Sequence, residues 1–166
     1  DLHLSLRRQR QMCTRDRSWF GLGLLGMAPG TLGSAGSLFP AAIIVWIWGQ
    51  NALFSAATVA FLSGWALTAR HLRDVPGEKD PQWIVIDEVA AQGAVLAVVP
   101  LTPGWYLAGF ALFRFFDIAK PWPVSWADRK VPGALGIMLD DALAGLYAAI
   151  ILITVRLVWL RVGPGL

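Results

Sequence analysis

Long apolar stretches alternate with short polar ones along this chain. From Ser34 to Ala69 the sequence is almost continuously apolar, broken at Gly49-Gln50-Asn51, which predicts two helices joined by a tight turn. A polar segment from Arg70 to Gln82 follows, with Arg73, Asp74, Pro76, Gly77, Glu78 and Lys79, as expected of an aqueous loop. A second apolar hairpin runs from near Ile84 to Ala119 and turns between Pro100 and Gly104. Its arms are short against the roughly 20 residues a helix needs to cross a bilayer, so tilted, partly embedded or re-entrant helices fit them. A last helix is predicted from near Ile137 to Arg161. The expected fold is all-α: a multihelical integral membrane bundle of about four to five membrane-embedded helices with short hairpin turns.

Composition strengthens that expectation. Hydrophobic residues make up 56% of 166, charged residues only 15%, and mean hydropathy is +0.56. A soluble core does not need so much apolar surface. A pI near 9.5 raises the question of nucleic acid, but the basic residues fall between apolar runs rather than along one patch, so no nucleic-acid partner is expected. They read instead as topology markers. The N-terminal segment, the Arg70 to Lys79 loop and the Lys120 to Lys130 loop carry most of the positive charge, while the turns at Gly49 and Thr102 carry none. The three basic segments are therefore expected on the cytoplasmic side. Arg156 and Arg161 point the other way.

Residues 1–18, with Arg7, Arg8, Arg10, Arg15 and Arg17, lack the apolar core of a signal peptide and read as a basic cytoplasmic arm. Residues 19–166 read as a single membrane-embedded domain. Cys13, the only cysteine, lies in the arm, which rules out an intramolecular disulfide and a thiolate zinc site.

More than half of the acidic residues gather beside apolar runs: Asp87 with Glu88, Asp117 with Asp128, and Asp140 with Asp141. Ionised carboxylates next to hydrocarbon are costly without compensation, so these groups suggest a shared metal or phosphate site. The expected topology brings Asp87, Glu88, Asp117, Asp140 and Asp141 to one level. Arg114, Asp117 and Lys120 recur every three residues and share a helix face before Pro121 and Pro123. They read equally as ordinary ion pairs with snorkelling cations beside interfacial Trp122 and Trp126. Asp140 and Asp141 could be helix N-terminal charges, yet two adjacent carboxylates do not both need that role. The glycine-rich stretch from Gly21 to Ser34, including Thr31 and Gly33, could offer backbone N–H groups to a phosphate or simply let helices pack closely. No Lys follows its last glycine, so it is not a Walker loop.

Four motifs in order then resemble one family. Pro29-Gly30-Thr31-Leu32-Gly33-Ser34, Ile84-Val85-Ile86-Asp87-Glu88, Arg114-Phe115-Phe116-Asp117-Ile118-Ala119-Lys120-Pro121-Trp122-Pro123 with Trp126, Asp128 and Arg129, and Gly136-Ile137-Met138-Leu139-Asp140-Asp141 with Ala144-Gly145 are similar to bacterial phosphatidylglycerophosphatase A, from about Trp19 to the C-terminus. Ala91 and Ala134 depart from the expected glycines, a change that concerns packing. The resemblance implies a Mg²⁺-dependent phosphatase that converts phosphatidylglycerophosphate to phosphatidylglycerol in the bacterial inner (cytoplasmic) membrane. Such a protein is expected to be multi-pass, with the site facing the cytoplasm.

Asp87, Glu88, Asp117, Asp140 and Asp141 are then the catalytic and metal-binding candidates, and Thr31, Gly33, Ser34, Arg114, Lys120 and Arg129 the substrate-binding ones. The residues permit this independently. The chain has only His3 and His71, and Cys13 has no Cys-x5-Arg context, so histidine- and cysteine-dependent phosphatase mechanisms are disfavoured. Oxygen ligands suit Mg²⁺, and either water or an aspartate could be the nucleophile. The bilayer is the other expected partner, and a homo-oligomer is compatible with this composition. A transporter or ion carrier could use the same carboxylates, but the acids sit at helix edges and no inverted repeat is evident. A phosphatidyl alcohol transferase would need an Asp-Gly-x2-Ala-Arg signature, which is missing. A purely structural membrane subunit would leave the paired carboxylates idle.

Overall fold

The computed structural model of the protein describes residues 29–75 and 85–162. The basic arm, the glycines before Pro29 and the 76–84 segment with Lys79 lie outside the described residues. Six helices and no strand make up the described part. Helix α1 (Pro29–Trp48) begins one turn before the expected Ser34, because Pro29 suits a first helical turn, where its missing N–H costs nothing. Thr31, Gly33 and Ser34 are thus helical rather than parts of a loop. Gly49, at φ 85°, turns the chain in a single residue into α2 (Gln50–Asp74).

Helix α3 (Ile86–Leu96) and helix α4 (Pro103–Ala119) form the second hairpin, and Thr102 with Pro103 starts α4. A short α5 (Val124–Lys130) was not expected within the Lys120 to Lys130 loop; Pro121 and Pro123 end α4, and a new turn starts directly after them. Helix α6 (Gly133–Val162) starts a turn earlier than Ile137. Gly133 has φ 73°, and a Cβ on Gly136 would collide with the Val131 carbonyl oxygen, so the chain folds back onto the helix only where a side chain is absent.

Three helices, α1, α2 and α6, are long and apolar enough to cross a membrane. At 11 residues, α3 is about 17 Å long and cannot cross a hydrocarbon layer of about 30 Å. It is instead the central helix, with nine residues buried and α1, α2, α4 and α6 packed around it. In α2 the buried positions Leu53, Ala57, Gly64 and Thr68 form the stripe that meets it. A Cβ on Gly64 would come within 2.8 Å of Ile86, so this crossing depends on the missing side chain. The outside is apolar too: Trp46, Phe54, Val59, Leu107, Ile150, Leu157 and Trp159 are each more than half exposed. In water so large an apolar surface would aggregate, and the chain is a membrane protein.

The far end of the short hairpin is capped from two sides. Gln50 Nε2 donates to the Val99 carbonyl at 2.6 Å, and Arg156 Nη1 donates to the Val98 carbonyl at 3.1 Å. Backbone carbonyls left over at the end of α3 are costly in hydrocarbon, and these two side chains satisfy them. That contact gives Arg156 a structural role on α6, where the charge pattern alone could not place it.

Candidate active site

The hairpin topology brings the acidic residues together at the opposite end. Asp87 and Glu88 occupy the first turn of α3, where the helix dipole favours negative charge. Asp117 lies in the last turn of α4, where the dipole disfavours it, so it needs a cation. Arg114 supplies one, with Nη1 2.6 Å from Asp117 Oδ2 and 3.2 Å from Glu88 Oε2. Both are ion pairs by distance, and the buried Nε has no hydrogen-bond partner among the described residues. The guanidinium therefore holds α3 and α4 together by charge while keeping unused donors. Ser34 Oγ, fully buried on α1, donates to the same Glu88 oxygen at 3.2 Å.

Lys120 builds the second bridge. It caps α4 in the left-handed conformation, at φ 43° and ψ 58°. Its Nζ donates to Asp128 Oδ1 on α5 and to Asp140 Oδ2 on α6, both at 2.6 Å. Burial pulls the Lys120 pKa down, but the hydrogen bonds and charges of Asp128 and Asp140 outweigh it and hold it above the ordinary 10.5.

Asp87 and Asp141 are left without a cation among the described residues, and they are 7% and 5% exposed. Asp87 Oδ1 accepts the Glu88 backbone N–H at 2.9 Å. Asp141 lies within electrostatic reach of Asp87, Asp117, Asp140 and Glu88. Six carboxylates thus share two cations, which is a strong demand for added positive charge. An all-oxygen donor set of this kind suits Mg²⁺ in chemistry and charge. In this arrangement no three acidic, histidine or cysteine side chains among the described residues converge to hold a metal ion.

The residues expected to hold phosphate separate into two groups. Arg114 lies inside the cluster, and Lys120 is at its edge but already engaged by Asp128 and Asp140. Ser34 reaches the cluster through Glu88, whereas Gly33 packs against Val85, where an added Cβ would meet Val85 at 3.1 Å. Thr31 is half-buried in the first turn of α1, and Arg129 is exposed on α5 with no ion pair among the described residues.

Gln92 escaped the sequence reading. It lies one turn beyond Glu88 on the same face of α3, fully buried, with neither amide atom hydrogen-bonded among the described residues. The only sequence signal was the four-residue spacing from Glu88. Ala91, one of the two departures from the expected glycines, packs against Gly145, where an added Cβ would meet Ala91 at 3.4–3.5 Å, so the glycine of the facing helix provides the room.

An all-α membrane bundle with a carboxylate-rich, cation-bridged cluster at one end defines a class of membrane protein with a charged site at helix termini. The chain belongs to the phosphatidylglycerophosphatase A family, whose model matches residues 17–156. Phosphatidylglycerophosphatase A of Haemophilus influenzae is 40% identical over 82% of this chain and 84% of its own. That of Escherichia coli is 37% identical over 80% and 77%. A Bacteroides thetaiotaomicron protein named "Putative phosphatidylinositol-3-phosphatase" is 38% identical over 82% and 89%. No solved structure matches.

Proposed function

We propose that this chain is a phosphatase of the bacterial inner membrane acting on phosphatidylglycerophosphate. Water adds to the terminal phosphorus, the bond from phosphorus to the glycerol oxygen breaks, and phosphatidylglycerol and inorganic phosphate leave. The observation that carries this reading is the pair of buried carboxylates, Asp87 and Asp141, left without a cation among the described residues in a chain of this family.

The cofactor we assign is Mg²⁺, which Asp87 and Asp141 would hold, with Glu88, Asp117 and Asp140 as the further candidate ligands. When bound there it supplies positive charge for the phosphate oxygens. Arg114 binds a phosphate oxygen with the donors it has not used. A carboxylate of the cluster takes the proton of the attacking water and returns it to the departing glycerol oxygen. Lys120 acts on Asp140, holding it in place, and Ser34 does the same for Glu88. Thr31 and Arg129 are left as donors to the headgroup. The basic segments support a cytoplasmic orientation for this end of the bundle.

The test is phosphate release by purified protein in detergent, with and without Mg²⁺. Phosphatidylglycerophosphate and phosphatidylinositol 3-phosphate are compared because relatives carry both names. Release from the first substrate only with Mg²⁺ is the expected result. Equal release after chelation would remove the metal from the reading, and preference for the inositol lipid would replace the substrate.

A further inference from the structure

On the outer surface, an open groove of about 390 Å³ runs between α4 and α6, lined by Gly104, Trp105, Ala108, Leu112, Leu152 and Trp159 among others. These are the two helices that carry Arg114, Asp117, Asp140 and Asp141. Leu112 precedes Asp117 by five residues, so the groove begins about 8 Å along the axis from the cluster level, and at Gly104 it reaches about 20 Å. Between groove and cluster, Phe116 stacks on Tyr147 with ring centroids 5.2 Å apart, and Tyr147 Oη donates to the Trp122 carbonyl. The groove therefore heads away from the charged end, in the direction a lipid's chains take from its headgroup.

We propose that this groove receives an acyl chain of the lipid substrate while its phosphate lies in the carboxylate cluster. The assignment rests on the lipid phosphatase reading above. The volume is at the small end of ligand sites, which run from about 300 to 1,000 Å³. A helix of a second copy, about 10 Å across, is a poorer occupant. The small residues Gly104 and Ala108 would suit helix packing, but Trp105 and Trp159 on the same groove are bulky, and Trp159 is 67% exposed. Among the described residues no charged side chain lines the groove, which argues against a headgroup.

The test uses Ala108→Phe to fill the groove and, as a second variant, Gly104→Leu, where an added Cβ meets nothing within 4 Å. Two substrates are compared: long-chain phosphatidylglycerophosphate in mixed micelles and a short-chain, water-soluble form of the same lipid. Filling the groove should lower kcat/KM on the long-chain form by about three- to tenfold and leave the short-chain form unchanged; the effect is modest because micelle and groove are equally apolar and only packing is lost. Equal loss on both forms, or no loss on either, overturns the proposal.

Native mass spectrometry of delipidated protein with long-chain phosphatidylglycerophosphate reads the groove without turnover. Retained lipid in both variants overturns the groove assignment even if the protein proves inactive, whereas lipid lost on filling the groove supports it even if the phosphatase reading falls. A shift from dimer to monomer in the variants would assign the groove to a second copy and overturn the acyl chain.

Discussion

Lys120 Nζ lies 2.6 Å from Asp140 Oδ2, twenty residues further along the chain, and equally close to Asp128 on the helix between them. One ammonium thus fixes α4, α5 and α6 relative to one another. Lys120→Ala leaves Asp140, whose side chain is only 10% exposed, without its cation; the expected cost is about 1–3 kcal/mol of stability, discounted because Lys120 is itself a third exposed. The double variant with Asp140→Asn should recover part of that loss in thermal unfolding. Since the folded pKa of Lys120 is raised, its contribution is fully present below the ordinary 10.5 and fades only as pH rises through the higher folded value. A difference between wild type and Lys120→Ala that fades well below pH 10 would contradict this.

Asp87→Asn and Asp141→Asn should separate function from folding. Each replaces a buried carboxylate that has no cation among the described residues with a neutral group of the same shape. Stability should hold or rise while phosphate release falls to background. Mg²⁺ at about a hundred times its dissociation constant should stabilise the wild type by about 2.7 kcal/mol and these variants far less. Equal stabilisation of both would put the metal elsewhere.

The hairpins could be read from the sequence because Gly49 and the Pro100 to Gly104 segment are strong local breakers between apolar runs, and the acidic groups fall at the ends of those runs. Which acid meets which cation was not legible. Spacing puts Arg114, Asp117 and Lys120 on one face, but Glu88 beside Arg114 and Asp140 beside Lys120 depend on how α3, α4 and α6 are rotated against each other. The same holds for Gln92, whose burial has no local signature, and for Arg156, which looked like a topology charge until the Val98 carbonyl explained it. Helix starts were late by a turn at Ser34 and Ile137, because apolarity marks where a helix is buried and not where its backbone begins.

Arg114→Lys is a sharper test than Arg114→Ala. A lysine keeps the charge between Glu88 and Asp117 but presents a single ammonium, so the unused donor at Nε disappears. Thermal stability should be close to wild type. Turnover should fall by about ten- to a hundredfold, the loss of one hydrogen bond to a charged group. Full activity would reduce Arg114 to a structural bridge.

Glycines divide by surroundings in a way that stability measurements can check. At Gly136 an added Cβ would collide with the Val131 backbone carbonyl, and backbone cannot move aside cheaply. Gly136→Ala should therefore destabilise the protein by more than about 2 kcal/mol and disturb the α6 turn that presents Asp140. Gly104→Ala meets nothing within 4 Å and should be neutral or slightly stabilising.

Sidedness tests topology and function in one measurement. Gln50 and Val99 are bonded at one end of the bundle, and the Lys120 bridges lie at the other, so Thr102 and Lys130 belong to opposite ends. Lys130 is exposed in the last turn of α5, beside Asp128, and Thr102 is exposed just before α4. In a Cys13→Ser background, Lys130→Cys should resist an impermeant thiol reagent in intact cells and react after lysis, whereas Thr102→Cys should react from outside. On the proposed reading the carboxylates open to the cytoplasmic leaflet, where the charge pattern also leads one to expect the basic segments. Labelling of position 130 in intact cells would invert the bundle and leave the proposed site facing away from its substrate.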